Sequence, residues 1–148
     1  AVRRDGEDAS YLDIAQAITQ RGDAAAIDHD LEQLFRRVVF NVLIGNRDDH
    51  LRNHGFLRTR RGWRLAPAFD LNPASEKVEH GLALDERTRV PDIAVVHETG
   101  SLYRLSAPRA REIEAEVRVA LAQWPTVARA ADLPPEEIQL VAAEFGAG

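Results

Sequence analysis

Two carboxylates and one amide are the residues of this sequence whose types and spacing could do chemistry. Asp48 and Asn53 are separated by four residues in the segment 46–53, and Asp70 follows in the segment 65–71. In kinase-type phosphoryl transfer, a loop aspartate takes the proton of the attacking hydroxyl, while an asparagine and a second aspartate hold Mg²⁺ on the nucleotide phosphates. The pattern therefore predicts Asp48 as the catalytic base, and Asn53 and Asp70 as ligands of magnesium bound to ATP.

The two residues that follow Asp48 have separate predicted roles. His50 lies two positions after Asp48, where its ring can hydrogen-bond to the transferring phosphate or neutralise it. We therefore include His50 with Asp48 in the predicted catalytic set. Asp49 is interpreted as a group that stabilises the loop.

Other interpretations of these residues have to be weighed. An aspartate and an asparagine at this spacing also occur by chance, because both are common loop and cap residues. His50 and His54 have the i, i+4 spacing of a transition-metal pair on a helix. Gly45 and Gly55 flank the segment and argue against a continuous helix there, so the metal pair is the weaker hypothesis.

A buried helix is expected to deliver this loop. Apolar residues recur at helical spacing from about Asp30 to Ile44, and the last turns are apolar on nearly every side. A helix of that kind is a core element. Gly45 suits the position just after a helix, so the segment 46–53 is predicted to be a loop held by a rigid element.

A hairpin is expected to bring the second motif back to the first. Segments 56–58 and 63–65 have strand character, and residues 59–62 between them suit a turn. Such a hairpin would let Asp70 approach Asn53. Four arginines of the hairpin are interpreted as a solvated basic edge that could also meet an acidic partner or a phosphate. They are Arg58, Arg60, Arg61 and Arg64.

The remaining segments predict further helices. Residues 72–90 show no periodicity and are predicted to be an irregular loop. A first helix is predicted after Ser10 and ends before Gly22, and a second is predicted over 93–103, where Gly100 makes helix formation less favourable. A third begins near Ser106 and Pro108, and its apolar stripe consists of Ile113, Val117, Ala120, Leu121 and Trp124. A fourth follows Pro134-Pro135, and its apolar stripe consists of Ile138, Val141, Ala142 and Phe145. The fold class is therefore mainly α, a helical lobe with one short β-hairpin next to the catalytic loop.

Composition limits the class of protein. The chain has 148 residues, 45% of them hydrophobic and 29% charged, which suits one globular domain over residues 1–148. No stretch approaches the length of a membrane span, so we expect no membrane partner. The absence of cysteine excludes disulfides and zinc–thiolate sites and suits a cytoplasmic location. A net charge of −5 argues against a dedicated nucleic-acid binder.

At these residues the sequence resembles the HipA family of bacterial serine/threonine kinases, the toxins of toxin–antitoxin pairs. The segment 40–54 is close to that family's catalytic-loop signature, and the segment 65–70 is close to its metal-binding signature, which more often has Tyr in place of Phe69. The resemblance implies the roles given above for Asp48, Asn53 and Asp70. It also implies ATP and Mg²⁺ as cofactors, a protein substrate that is translation-related, and an antitoxin of the DNA-binding type.

The sequence also departs from a complete kinase. A kinase needs a strand-borne lysine for the nucleotide phosphates and usually a glycine-rich cover. The only lysine, Lys77, follows Asp70, and the nine glycines form no such motif. We therefore expect the chain to be the C-terminal lobe alone, with little activity in isolation.

Three other functions remain open at this point. Kinase chemistry with a small-molecule or lipid acceptor would use the same loop, because the loop recognises a hydroxyl and not the molecule that bears it. A non-catalytic helical module that binds a partner is a second alternative. A metal-dependent nuclease that uses His50 and His54 is the third.

Overall fold

The computed structural model describes residues 9–46, 49, 51–69, 84 and 92–145, with the backbone alone over 141–145. In these ranges five α-helices accompany one two-stranded antiparallel sheet, which confirms the predicted fold class. The elements in chain order are α1 (Tyr11–Arg21), α2 (Ile27–Ile44), a 3-10 helix (Leu51–Asn53), β1 (Phe56–Thr59), β2 (Gly62–Leu65), α3 (Ile93–Glu98), a second 3-10 helix (Gly100–Tyr103), α4 (Ala107–Ala130) and α5 (Pro135–Phe145). The predicted irregular loop over 72–90 lies outside the described residues, apart from Leu84.

Helix α2 is the central element of the described core. It packs against α1, α3, α4 and the hairpin, and Leu31, Leu34 and Phe35 are completely inaccessible to solvent. The helix begins at Ile27 and not near Asp30 as predicted. The added turn is stabilised by acidic residues near the helix N-terminus, where they interact favourably with the macrodipole.

The ends of α1 and α2 follow the sequence signals. Ser10 caps α1, since its hydroxyl accepts from the backbone N–H of Asp13 while the Asp13 carboxylate accepts from that of Ser10. Gly22 follows the last residue of α1, as predicted. Gly45 ends α2 with φ of 67°, a left-handed conformation that glycine adopts without steric cost.

The hairpin is held against the turn between α1 and α2. β1 and β2 pair from Phe56↔Leu65 to Thr59↔Gly62. The backbone N–H of Asp23 donates to the carbonyl of Trp63 at 3.0 Å. Gly62 has φ of 141°, and a Cβ at this position would lie 2.8 Å from the nitrogen of Asp23. Glycine therefore permits the close approach that fixes the hairpin.

The segment 93–103 was predicted to form one helix, and it forms two short ones. α3 ends before Thr99, whose hydroxyl donates to the carbonyl of Val96, and the 3-10 helix follows from Gly100. The prediction that Gly100 makes a continuous helix over 93–103 less favourable is thus confirmed, because the α-helix ends just before it.

Helix α4 begins as predicted, with Ser106 as its cap and proline in its first turn. Glu114 and Arg118, one helical turn apart, form an ion pair at 2.6 Å. Ala120 is exposed, so its assignment to the buried stripe was wrong. A small side chain on the outer edge of a stripe tolerates either environment.

Ion pairs connect α4 to α2 on the surface. Arg109 contacts Glu32 at 2.6 Å, and Arg36 contacts Glu116 at 2.7 Å. The hydrogen bond from Arg109 lowers the pKa of Glu32 below its ordinary value. Exposed pairs of this kind each contribute little to stability, so the packing of α4 on α2 depends mainly on their buried apolar residues. No described helix has both the length and the apolar character needed to span a membrane.

Candidate active site

One of the four predicted site residues lies within the described part of the chain. Asn53 is the last residue of the first 3-10 helix and is only 6% exposed. Asp48, His50 and Asp70 lie outside the described residues, so their roles stay predictions. The described residues that surround these positions show how the two motifs are held.

Asp49 is a buried anchor of the loop. Its side chain is 2% exposed. Its Oδ2 accepts three hydrogen bonds, one from α1, one from α2 and one from the residue after the first 3-10 helix. The Tyr11 hydroxyl donates at 2.7 Å, the Asn41 amide at 3.0 Å and the His54 Nε2 at 2.7 Å. The loop is therefore tied to α1 and α2, which confirms the interpretation of Asp49 as a stabilising group.

Asn41 connects this anchor to the start of the loop. Its side-chain amide donates to Asp49 and to the Tyr11 hydroxyl, while its Oδ1 accepts from Asn46 Nδ2 at 3.0 Å. The backbone N–H of Asn46 also donates to the carbonyl of Asn41 at 2.9 Å. The sequence analysis missed this role. The available signal was an isolated amide in an otherwise apolar helix, because a buried polar side chain needs a partner.

His54 belongs to the same cluster. Its ring meets the Tyr11 ring edge to face, with 5.9 Å between the centroids, and its Nε2 is occupied by Asp49. Between Gly45 and Gly55 the described residues form a 3-10 turn and no α-helix. No group of three or more metal-ligating histidine, aspartate or glutamate side chains occurs in the described ranges. These contacts favour a structural role for His54 over a metal-binding one.

A second buried carboxylate holds the hairpin to α2. Asp30 accepts a two-pronged hydrogen bond from Arg64, from Nε at 3.0 Å and from Nη2 at 3.1 Å. Its Oδ2 also accepts from the backbone N–H of Leu65 at 3.0 Å. The interpretation of Arg64 as part of a solvated basic edge was therefore wrong, because a partner carboxylate lies on a preceding helix. Hydrogen bonding to Asp30 raises the pKa of Arg64 above its ordinary value.

Arg37 extends this attachment beyond the strand. Its guanidinium donates to the carbonyl of Ala66, the first residue after β2. Burial lowers the pKa of Arg37, and the carboxylates of Asp49 and Asp30 oppose that shift. A half-buried cation on α2 thus lies between the carboxylate that holds the loop and the one that holds the hairpin.

The segment 65–71 contacts the chain just after the segment 46–53, at Gly55. The backbone N–H of Ala66 donates to the carbonyl of Gly55 at 2.8 Å. A Cβ on Gly55 would lie 3.4 Å from the Cβ of Ala66 and 3.7 Å from Cε1 of Phe69. Phe69 immediately precedes Asp70, and Gly55 follows Asn53 by two positions. The hairpin therefore returns the chain to the end of the loop, as the sequence predicted.

The attachment of the hairpin can be tested with Asp30→Ala. This change leaves the Leu65 N–H without its acceptor, so we expect the free energy of unfolding to fall by about 1–3 kcal/mol. Asp28→Ala is the matched control, since Asp28 lies in the same first turn but is 80% exposed, and its one ion pair with a described residue is to Arg104. Its expected effect is about 0–1 kcal/mol. Equal losses in urea unfolding of the two variants would contradict the structural role of Asp30.

The buried tyrosines predict a loss of stability at alkaline pH. Burial raises the pKa of Tyr11 well above its ordinary value, the Asp49 carboxylate raises it further, and burial likewise raises the pKa of Tyr103. Above about pH 10 the unfolded chain then binds fewer protons than the native one, so the free energy of unfolding falls as pH rises, with a slope that for each tyrosine cannot exceed about 1.4 kcal/mol per pH unit. The Tyr11→Phe, Tyr103→Phe double variant lacks every tyrosine of the chain and should show a shallower slope between pH 10 and 12 in urea titrations. An unchanged slope would contradict the burial of both hydroxyls.

The chain belongs to the family of HipA-like C-terminal domains, whose model matches residues 2–142. No curated protein gives a significant sequence match to the chain.

A solved structure with the same fold is the toxin–antitoxin complex of HipA, HipB and operator DNA from Shewanella oneidensis MR-1. A chain of that complex superposes with a TM-score of 0.70 at 18% identity. The match covers 95% of the present chain and 34% of the Shewanella chain, so the present chain spans about a third of that relative.

Proposed function

We propose that the chain is the C-terminal catalytic part of a serine/threonine protein kinase of the HipA-like type. The observation that carries the proposal is the hydrogen bond from the Ala66 N–H to the Gly55 carbonyl, with the Phe69 ring near enough that a Cβ on Gly55 would touch it. It draws together the ends of two segments that bear the predicted base and metal ligands. Family membership supports the same conclusion, because the matched residues include both segments.

The predicted ligands, Asn53 and Asp70, have the chemistry of a magnesium–nucleotide site. Mg²⁺ prefers carboxylate and amide oxygens and keeps several waters, so a few protein ligands suffice. Asn53 offers an amide at the end of the anchored loop, and Asp70 would add a carboxylate. When bound, Mg²⁺–ATP supplies the phosphoryl group and neutralises the charge that develops on it.

The remaining residues of the loop would act on the acceptor. Asp48 orients the acceptor hydroxyl and takes its proton as the oxygen bonds to the γ-phosphorus. The bond from that phosphorus to the β–γ bridging oxygen breaks, which leaves ADP and a phosphoester. His50 hydrogen-bonds to the transferred group. Asp49 acts indirectly, since its hydrogen bonds to Tyr11 and His54 keep the loop in place.

The partners of the chain are also proposed by analogy. The Shewanella relative was solved with HipB and operator DNA, and we infer that the present protein is the toxin of such a pair, with an antitoxin of the DNA-binding type. Its substrate is a protein hydroxyl. Direct contact of the chain itself with nucleic acid is not expected, given its net charge of −5.

Radiolabel transfer tests the function and its nearest alternatives together. The full-length protein is incubated with [γ-³²P]ATP and an ATP-depleted cell extract, which is then separated into proteins, lipids and small metabolites. We expect label on serine or threonine in the protein fraction, and its loss when EDTA removes the magnesium. Label in the lipid or metabolite fraction alone would assign another acceptor. Label in no fraction would contradict kinase chemistry.

A further inference from the structure

A pocket lies between α1 and the hairpin, and Asn53 is not among its lining residues. It has a volume of about 220 Å³ and is lined by Ala17, Arg21, Phe56 and Trp63. A cavity of about 150 Å³ lined by apolar side chains is large enough to bind benzene. This pocket therefore has room for one aromatic or branched aliphatic side chain. It is called the α1–hairpin pocket below.

Four arginines that make no ion pair with the described residues lie on the elements that line this pocket or in the turn between the two strands. Arg21 lines it, Arg58 lies over the Trp63 ring at 5.2 Å from the centroid, and Arg60 and Arg61 form the exposed hairpin turn. None of the four makes an ion pair with the described residues, although arginines elsewhere in the described ranges do. A chain with a net charge of −5 thus places at least two arginines, Arg21 and Arg58, at one apolar opening; these two form its rim.

The chemistry of the pocket favours a peptide over a nucleic acid. Bases bind mainly by stacking on exposed aromatic faces and by phosphate contacts. One face of the Trp63 ring is already covered by Arg58, so that face is closed to a base. In many protein interfaces one buried anchor side chain fills a pocket and polar residues surround it. This pocket has the volume of one side chain and cations at its rim, so it matches that pattern.

We propose that the α1–hairpin pocket is a docking site for an acidic segment of a partner protein. One large apolar side chain of that segment enters between Ala17 and Trp63, and flanking carboxylates contact the guanidinium groups of Arg21 and Arg58. The site would recruit a partner without taking part in phosphoryl transfer. This proposal therefore does not depend on the proposed function.

Selection from a peptide library tests the proposal directly. Random 12-residue peptides displayed on phage are selected on the full-length protein, and the enriched sequences are synthesised. We expect a consensus of one large apolar residue flanked by aspartate or glutamate. In a Trp124→Phe background, which leaves Trp63 as the only tryptophan, binding should change the Trp63 fluorescence.

Two variants test the pocket and its charged rim separately, and a third serves as a control. Ala17→Leu fills the cavity and suits a helix, and Arg58→Glu reverses a rim charge. Each should weaken peptide binding at least about 10-fold, as expected for the loss of an interface anchor or a charge contact. Arg111→Glu is the control, because Arg111 is exposed on α4 and has no ion pair with the described residues. It should leave affinity within about twofold, as for a charge outside the interface. Circular dichroism and thermal unfolding confirm that each variant is folded.

Three results would overturn the proposal. The first is a selection that yields no acidic-apolar consensus. The second is a consensus peptide whose affinity is the same for folded Ala17→Leu and for the wild type. The third is a dT12 oligonucleotide that binds more tightly than the peptides and is weakened by Arg58→Glu, which would assign the surface to nucleic acid.

Discussion

Replacement of Asp70 by asparagine in the full-length protein is expected to lower kcat/KM for phosphoryl transfer on the order of a thousand-fold. The variant exchanges a charged metal ligand for a neutral one, and metal-assisted steps lose several kcal/mol of transition-state stabilisation in such cases. Because the lost contact is to magnesium, the rate should also require more magnesium to reach its maximum. Initial rates over a series of magnesium concentrations measure both effects.

Asp48→Asn separates the base from the metal ligand. Loss of general-base assistance should lower kcat by about 10²–10⁴ while leaving the magnesium requirement unchanged. Asp132→Asn is the matched control for both variants, since Asp132 is exposed with φ of 58°, a conformation that asparagine adopts as readily. Wild-type rates for both Asp48→Asn and Asp70→Asn would show that the two residues have been misassigned.

The sequence was sufficient for elements that local signals determine. The helix after Ser10, the end of α2 at Gly45 and the hairpin over 56–65 all formed as predicted. In each case the signal and the structure it specifies lie within a few residues of each other. The return of the chain from the hairpin to Gly55 was predictable for the same reason, whereas the approach of Asp70 to Asn53 stays a prediction.

Contacts between distant residues were not predictable in this way. Tyr11 and Asp49 are 38 positions apart, and Asp30 and Arg64 are 34 apart. Periodicity assigns Tyr11 to a buried face but does not say that its hydroxyl will meet a carboxylate from the loop. The sequence therefore predicts residues that could do chemistry, but it does not reveal the buried polar groups that hold Asp49 in position.

Those buried groups lead to the second large prediction, for Asp49→Ala. The change removes the acceptor shared by Tyr11, Asn41 and His54. The buried Tyr11 hydroxyl and His54 Nε2 lose this acceptor, while the Asn41 amide keeps its hydrogen bond to the Tyr11 hydroxyl. Loss of one side of a buried, hydrogen-bonded charge destabilises a protein by about 3–5 kcal/mol. Urea unfolding should show this loss. Tyr11→Phe, which deletes a single donor, should lower stability by only about 1 kcal/mol.

Activity should fall more in Asp49→Ala than the loss of folded protein explains. Asp48 and His50 flank Asp49 in the sequence, and a small displacement of catalytic groups lowers a rate by as much as about 10²-fold. We therefore expect a lower kcat with little change in KM for ATP, measured well below the unfolding midpoint, where the variant is folded. Asp49→Asn keeps one acceptor oxygen and should recover part of both stability and rate. Full kcat in folded Asp49→Ala would mean that the loop is positioned by groups other than the Tyr11, Asn41 and His54 cluster.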